Sequence, residues 1–181
     1  EAGGSPLFLH ELARVGTADD LPPTILAAVR LEIAALPPAS RALLDGAAVA
    51  GDPFDPELAA AAADVSSDWL VALDQLVAAD LVRVGSGPRA FRFRHPLVRR
   101  AVYDAAPAGW RLQAHERAAA TLTGAARAQH VERYAREGDL EAVAALRDAG
   151  LAADPSAPAS AAHWFGAALR LLPATARAFP Q

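Results

Sequence analysis

The chain has 181 residues, 53% of them apolar and 6% aromatic, with a net charge of -4. That is enough for one ordinary domain or two or three small modules, and too acidic overall for general nucleic-acid affinity. Zero cysteines exclude disulfides and thiolate metal sites, and no apolar run reaches the length of a bilayer span, so the sequence implies no membrane partner and a cytoplasmic setting. About half of the apolar share is alanine, the best helix former, which predicts a mainly α fold. The chain has no Lys and no Met, and it opens at Glu1. It therefore reads as an excised piece from a proline-, arginine- and alanine-rich proteome.

In chain order, Gly3-Gly4-Ser5-Pro6 is a turn opening a short helix with Leu7, Phe8, Leu12 and Val15 on its apolar face and Gly16 at its end. Pro22-Pro23 starts a second helix carrying Ile25, Leu26, Val29, Ile33 and Leu36, ended by Pro37-Pro38. A third spans about Ser40 to Ala50, with Leu43, Leu44 and Val49 inward. The turn from Asp52 to Pro56 leads into an alanine-rich helix to about Ala63. Ser66, Ser67 and Asp68 are N-cap candidates for a helix with Trp69, Leu70, Leu73, Leu76 and Val77 on one side.

A β-hairpin is expected at about 81–84 and 90–94, turning at Gly85-Ser86-Gly87-Pro88. In RAFRFRHPLVRRAVYDA, Arg89 to Ala105, Phe91 and Phe93 share one strand face and Arg92 and Arg94 the other. The period then changes: Pro96 suits a first helical turn, and Leu97, Val98, Ala101, Val102 and Tyr103 recur at helical spacing. His95 falls at this strand-to-helix junction, where backbone N–H groups and a titratable ring can meet an anion. Three helices followed by a hairpin is the order of a winged helix; a helical bundle with an added hairpin fits the same pattern.

Beyond Asp104 the chain reads as helix pairs of solenoid size. Their segments run from Pro107 to Gly124 with Trp110, Leu112, Ala118 and Leu122, then Ala126 to Glu137, Asp139 to Ala153 and Ala157 to Leu172. Ala161, Phe165, Ala168 and Pro173 have the spacing of the second half of a tetratricopeptide repeat. The helix before them departs from that pattern, and Asp154 to Pro158 lengthens the turn.

Catalytic signatures are missing, so the chain is expected to be no enzyme. Without lysine there is no Walker A loop or Schiff base, no G-x-G-x-x-G follows a strand, and no serine sits in a G-x-S-x-G elbow. His10-Glu11 and His115-Glu116 begin H-E-x-x-H but lack its second histidine, which argues against zinc. His115, His130 and His163 sit singly on predicted helices, where a packed or partly exposed structural role is far commoner than catalysis. Arg89, Arg92, Arg94, Arg99 and Arg100 form a basic run suited to phosphate contact. Yet Asp52 to Asp80, which includes the helix that would enter a major groove, holds seven acids and no base. Direct DNA binding by this segment is therefore ranked below contact with protein or nucleotide.

Three stretches carry a family resemblance: GGSPLFLHEL (Gly3 to Leu12), FRFRHPLVRRAVYDA (Phe91 to Ala105) and HVERYAREGDLEAVAALRDAG (His130 to Gly150). Together they resemble the large actinobacterial LuxR-type transcriptional regulators of the STAND class of signal-transducing ATPases. In that family a P-loop ATPase domain is followed by a helical lid, a winged helix, helical repeats and often a DNA-binding helix-turn-helix. The resemblance implies a lid remnant at 1–37, a winged-helix domain at 38–106 and tetratricopeptide-like antiparallel helices at 107–181.

By the same resemblance, Gly4-Ser5-Pro6 is similar to the lid motif whose proline packs on adenine, with Ser5 where the family more often has Asn or His. His95 is similar to the winged-helix histidine that approaches the β-phosphate of ADP in the closed state, with Pro96 where relatives in plants and animals have Asp. Arg100 stands where an acid is common. The implied site residues are Pro6 and His95, and the implied cofactor is ADP or ATP in the parent protein, with none held by this segment alone. Implied partners are the parent's ATPase domain and the repeats, within one chain. A repeat scaffold that binds another protein or a second copy is the alternative, and a DNA-binding winged helix the second alternative.

Overall fold

The computed structural model describes residues 23–66, 68–153 and 157–173. Pro6 and the helix expected from it, His10, Ser67 and the side chains of Ile25 and Leu26 lie outside the described residues. The rest is mainly helical with one small antiparallel sheet. The elements are α1 (Pro23–Ala34), α2 (Pro38–Ala50), α3 (Pro56–Ala63), α4 (Trp69–Ala78), β1 (Val82–Val84), β2 (Phe91–Phe93) and α5 (Pro96–Ala105). Four more helices follow: α6 (Ala108–Ala120), α7 (Gly124–Tyr134), α8 (Leu140–Ala153) and α9 (Pro158–Leu171).

Prolines set several of the boundaries, because Pro costs nothing at the first helical position, where no N–H partner exists. Pro38, Pro56, Pro96 and Pro158 all occupy the first turn of their helices. At the other end of α3, Asp64 takes the left-handed conformation, and the Val65 N–H reaches back to the Ala60 carbonyl at 2.9 Å. Asp80 does the same after α4, with Leu81 N–H on the Leu76 carbonyl at 3.1 Å. These left-handed caps satisfy carbonyls that lack a helical partner. The second cap delivers the buried Leu81 straight into the hairpin.

The hairpin pairs Val82 with Phe93, Arg83 with Arg92 and Val84 with Phe91, and the Arg94 N–H adds a bond to the Leu81 carbonyl at 3.1 Å. Both strands are shorter than expected. A third piece joins them: Phe54 exchanges both backbone bonds with Phe91, at 2.7 and 2.9 Å. The Phe54 ring lies 6.2 Å from Phe91 and 5.7 Å from Phe93, the spacing of favourable tilted aromatic pairs. The segment expected to be only a turn thus also supplies an edge to the sheet, and the order becomes helix, bridge, helix, helix, hairpin.

One core lies under the hairpin and collects Leu43, Leu44, Leu73, Leu76, Val82, Phe93, Val98 and Val102, together with Val29 and Ile33 of α1. A second, around Val131, Leu146 and Trp164, holds α7, α8 and α9 together. Between them sits a small cluster of Val49, Ala62, Ala114 and Ala118, flanked by Tyr103 and Trp110. Inward faces were mostly as expected, with exceptions. Leu70 and Val77 of α4 are exposed, as is Val71 beside them, and only Ala72, Leu73 and Leu76 of that helix are buried. Asp68 precedes α4 in a left-handed conformation and makes no side-chain cap bond. Leu112 is exposed, and Gly124 opens α7 where it was expected to close the preceding helix.

Two glycines mark close helix approaches. Gly150 of α8 faces the Phe165 ring of α9, which a Cβ would meet at 2.7 Å. A Cβ on Gly46 of α2 would overlap the Ala59 carbonyl oxygen of α3, and backbone cannot swing aside as a side chain can. Gly46→Ala should therefore destabilise the chain by about 1–3 kcal/mol despite its better helix propensity. Gly109→Ala, with open space around it, should be neutral or slightly stabilising. Thermal melts of the two variants check this, and equal midpoints would refute the close approach.

Candidate functional site

His95 is the N-cap of α5. Its backbone is extended, at φ -154° and ψ 143°, and its Nδ1 accepts the Leu97 N–H at 3.2 Å. The ring is partly exposed. An imidazole that accepts at Nδ1 carries its proton on Nε2 when neutral, which makes Nε2 a hydrogen-bond donor. The expected strand-to-helix junction is present, and the cap bond fixes the tautomer. Pro6, the other expected nucleotide residue, lies outside the described residues.

The basic run does not form one patch. Arg89 pairs with Asp55 at 3.1 Å and Glu57 at 2.9 Å. Arg94 pairs with Glu32 of α1 at 2.6 Å, and Arg100 with Asp104 at 3.5 Å. Arg92 stands on the outer face of the hairpin opposite Arg83, which Asp80 holds at 2.8 Å. Arg99 points inward, with Nε on the Ala48 carbonyl at 3.1 Å. Sequence adjacency hid the partners of Arg89 and Arg94, whose acids lie more than thirty residues away, whereas the Asp104 partner of Arg100 is one helical turn along the same helix.

Arg99 belongs to a second pattern. Helices α2, α3 and α5 have no basic residue in their own last turns, where unpaired carbonyls and the negative end of the dipole call for one. Each receives a guanidinium from another helix. Arg99 of α5 serves Ala48 of α2. Arg117 of α6 serves Ala62 of α3 through Nε at 3.0 Å and Nη2 at 2.6 Å. Arg111 of α6 serves Tyr103 of α5 at 3.0 Å, with its guanidinium carbon 5.0 Å from the centre of the Tyr103 ring.

His115 and His130 sit singly on α6 and α7 and are packed, and the fold brings the two rings together. Their Nδ1 atoms are 2.9 Å apart, both side chains are 6% exposed, and the Tyr103 hydroxyl lies 3.0 Å from His115 Nε2. Burial first, then the neighbouring His130 and the charges of Arg133, Arg111 and Arg99, hold His115 down to about 4. Burial and Arg133 lower His130 as well. The signal that could have found this pair is weak: α6 and α7 are consecutive helices, each with one histidine near a small apolar face. His163 is engaged separately, with Nε2 2.9 Å from Glu132. Among the described residues no group of three or more His, Asp or Glu side chains could hold a metal ion.

Asp45 of α2 is displaced the opposite way, pushed up to about 6 by burial despite the pull of Arg41. A His neutral in the fold contributes stability above its ordinary 6.5 and loses it as pH falls toward 4. An Asp neutral in the fold contributes stability below its ordinary 3.8 and loses it as pH rises toward 6. Between about pH 4 and 6 the two slopes oppose each other. Asp45→Asn removes one of them, so the variant should lose up to about 1.4 kcal/mol per pH unit relative to the wild-type profile on acidification through that window. Urea midpoints across the range check this, and parallel profiles would contradict it.

No family model, curated protein or solved structure matches the chain.

Proposed function

We propose that the chain is a non-catalytic regulatory segment of an ATP-dependent, LuxR-type transcriptional regulator, carrying nucleotide state from an ATPase domain to helical repeats. The observation that carries this reading is the His95 cap. A donor at Nε2, held in one tautomer where strand becomes helix, suits a phosphate oxygen. On this reading residues 1–37 are the lid remnant, 38–106 the winged helix and 107–181 the repeats. Pro6 would pack on adenine and His95 would meet the β-phosphate of ADP supplied by the parent's P-loop domain. Exchange for ATP would remove that contact and let the winged helix turn as a body.

The arginine clamps support the second half of the relay, since a rotation at His95 can reach α6 and α7 only if the two parts move together. The outward face of α4 supports protein contact over DNA. Leu70, Val71 and Val77 are exposed there with Asp74 between them, and no basic side chain of α4 could meet a phosphate.

His95→Ser separates the cap from the nucleotide contact, because serine caps a helix but cannot reach as far as imidazole. In the parent protein this variant should retain the wild-type melting temperature while losing about tenfold in ADP affinity. His95→Ala should lose both, with about 0.5–2 kcal/mol of stability. Calorimetric titration of ADP and ATP checks this. Unchanged ADP affinity in His95→Ser, or micromolar nucleotide binding by the 181-residue chain alone, would overturn the reading.

A further inference from the structure

A cavity of about 470 Å³ opens between the end of α2 and the helices α5, α6, α7 and α9. Its walls include Arg99, His115, His130, Arg133, His163 and Trp164, so both the hairpin part and the repeats contribute to it. Three other places on the molecule carry less. The cavity of about 250 Å³ around Arg127 has carboxylates beside its buried and unpartnered Nε, which one water would satisfy. The hollow at Pro53, Phe54 and Pro88 is shallow and apolar. The exposed face of α4 has nothing beside it that identifies an occupant.

The charge on the walls of the larger cavity is unbalanced. Among the described residues no carboxylate pairs with Arg99 or Arg133. The acid on the wall, Glu132, is already shared by His163 at 2.9 Å and Arg170 at 2.8 Å. Two guanidiniums therefore face one space with no counter-charge of their own, and their fields help keep the buried histidines neutral.

The ring chain adds a directed donor. A phenol is a stronger acid than a neutral imidazole, so the Tyr103 hydroxyl donates to His115 Nε2. His115 must then carry its proton on Nδ1 and donate to Nδ1 of His130. That leaves the His130 proton on Nε2, the edge of the ring available to the cavity. Trp164, stacked edge-on against His163 at 4.7 Å, closes one side with apolar surface.

We propose that this cavity binds a small organic oxyanion, a phosphate or carboxylate attached to an apolar body. Arg99 and Arg133 hold the charge, the His130 Nε2–H donates to it, and Trp164 packs on the body. The cavity is far larger than an inorganic ion requires, and the aromatic wall has no role for a bare ion. A ligand there touches α5, α7 and α9 at once, which makes it an effector that fixes the hairpin part against the repeats. The proposal stands independently of the nucleotide reading of His95.

The 181-residue chain should be titrated calorimetrically with phenyl phosphate, benzoate and inorganic phosphate. Phenyl phosphate or benzoate should bind saturably, and whichever is tighter identifies the charged group; inorganic phosphate should bind at least about tenfold more weakly. Arg133→Ala should weaken the tighter probe by about tenfold or more. Arg92→Ala makes the same change in net charge on the outer face of the hairpin, away from the cavity, and should leave binding within about twofold. Absence of saturable binding by both organic probes would overturn the proposal, as would equal losses in Arg92→Ala and Arg133→Ala or inorganic phosphate binding as tightly as the organic probes.

Discussion

The arrangement depends on guanidiniums that reach from one helix to the last carbonyls of another. A helix ends with four carbonyls that have no partner of their own and a partial negative charge that water or a cation must meet. Helices α2, α3 and α5 carry no base in their last turns. Arg99, Arg117 and Arg111 supply the missing charge, the last two across the boundary between the hairpin part and the repeats. A charge-assisted bond of this kind contributes about 1.5–3 kcal/mol. Loss of Arg99 or Arg117 would remove the side-chain donor from a part-buried carbonyl, while the Tyr103 carbonyl would still accept the Ala106 N–H at 3.3 Å. Three alanines, Ala62, Ala114 and Ala118, pack there with Val49, flanked by Leu58, Tyr103 and Trp110, and their small side chains bring the backbones close enough for an arginine to span them.

Such a boundary differs from a purely apolar one in what it transmits. Alanine against alanine can slide, whereas a guanidinium on a particular carbonyl fixes register. Tyr103 is held twice, its carbonyl by Arg111 and its hydroxyl by His115. Because His115 also contacts His130, the end of α5 is joined to α7 through two rings. This gives a displacement of α5 a physical route into α6 and α7, which a relay of the proposed kind requires.

Much of the fold was legible from local chemistry. Prolines marked the helix starts, the alternation of Phe91 and Phe93 with Arg92 marked β2, and Pro96 marked the change of period at His95. The errors came from interactions between residues distant in sequence. Phe54 joins the sheet because Phe91 presents an open edge, which the Asp52-to-Pro56 turn gives no sign of. Leu70 and Val77 look inward by helical spacing but face outward, because Ala72, Leu73 and Leu76, with Trp69 partly buried beside them, occupy the face of α4 turned to the core. The arginines form a run suited to phosphate contact with no acid among them, yet Arg94 finds its acid on α1 and Arg99 finds a carbonyl on α2. The histidine pair was invisible for the same reason, as was the cavity beside it.

The hairpin part and helices α6 to α9 are predicted to behave as one mechanical unit. Trp69 reports on the first and Trp164 on the second, so two variants, each retaining one of these and replacing the other two tryptophans with phenylalanine, can follow urea unfolding separately. Coincident transitions with equal midpoints and slopes are predicted for the two reporters, as expected of a cooperative unit. A Trp164 transition clearly separated from that of Trp69 would contradict this coupling.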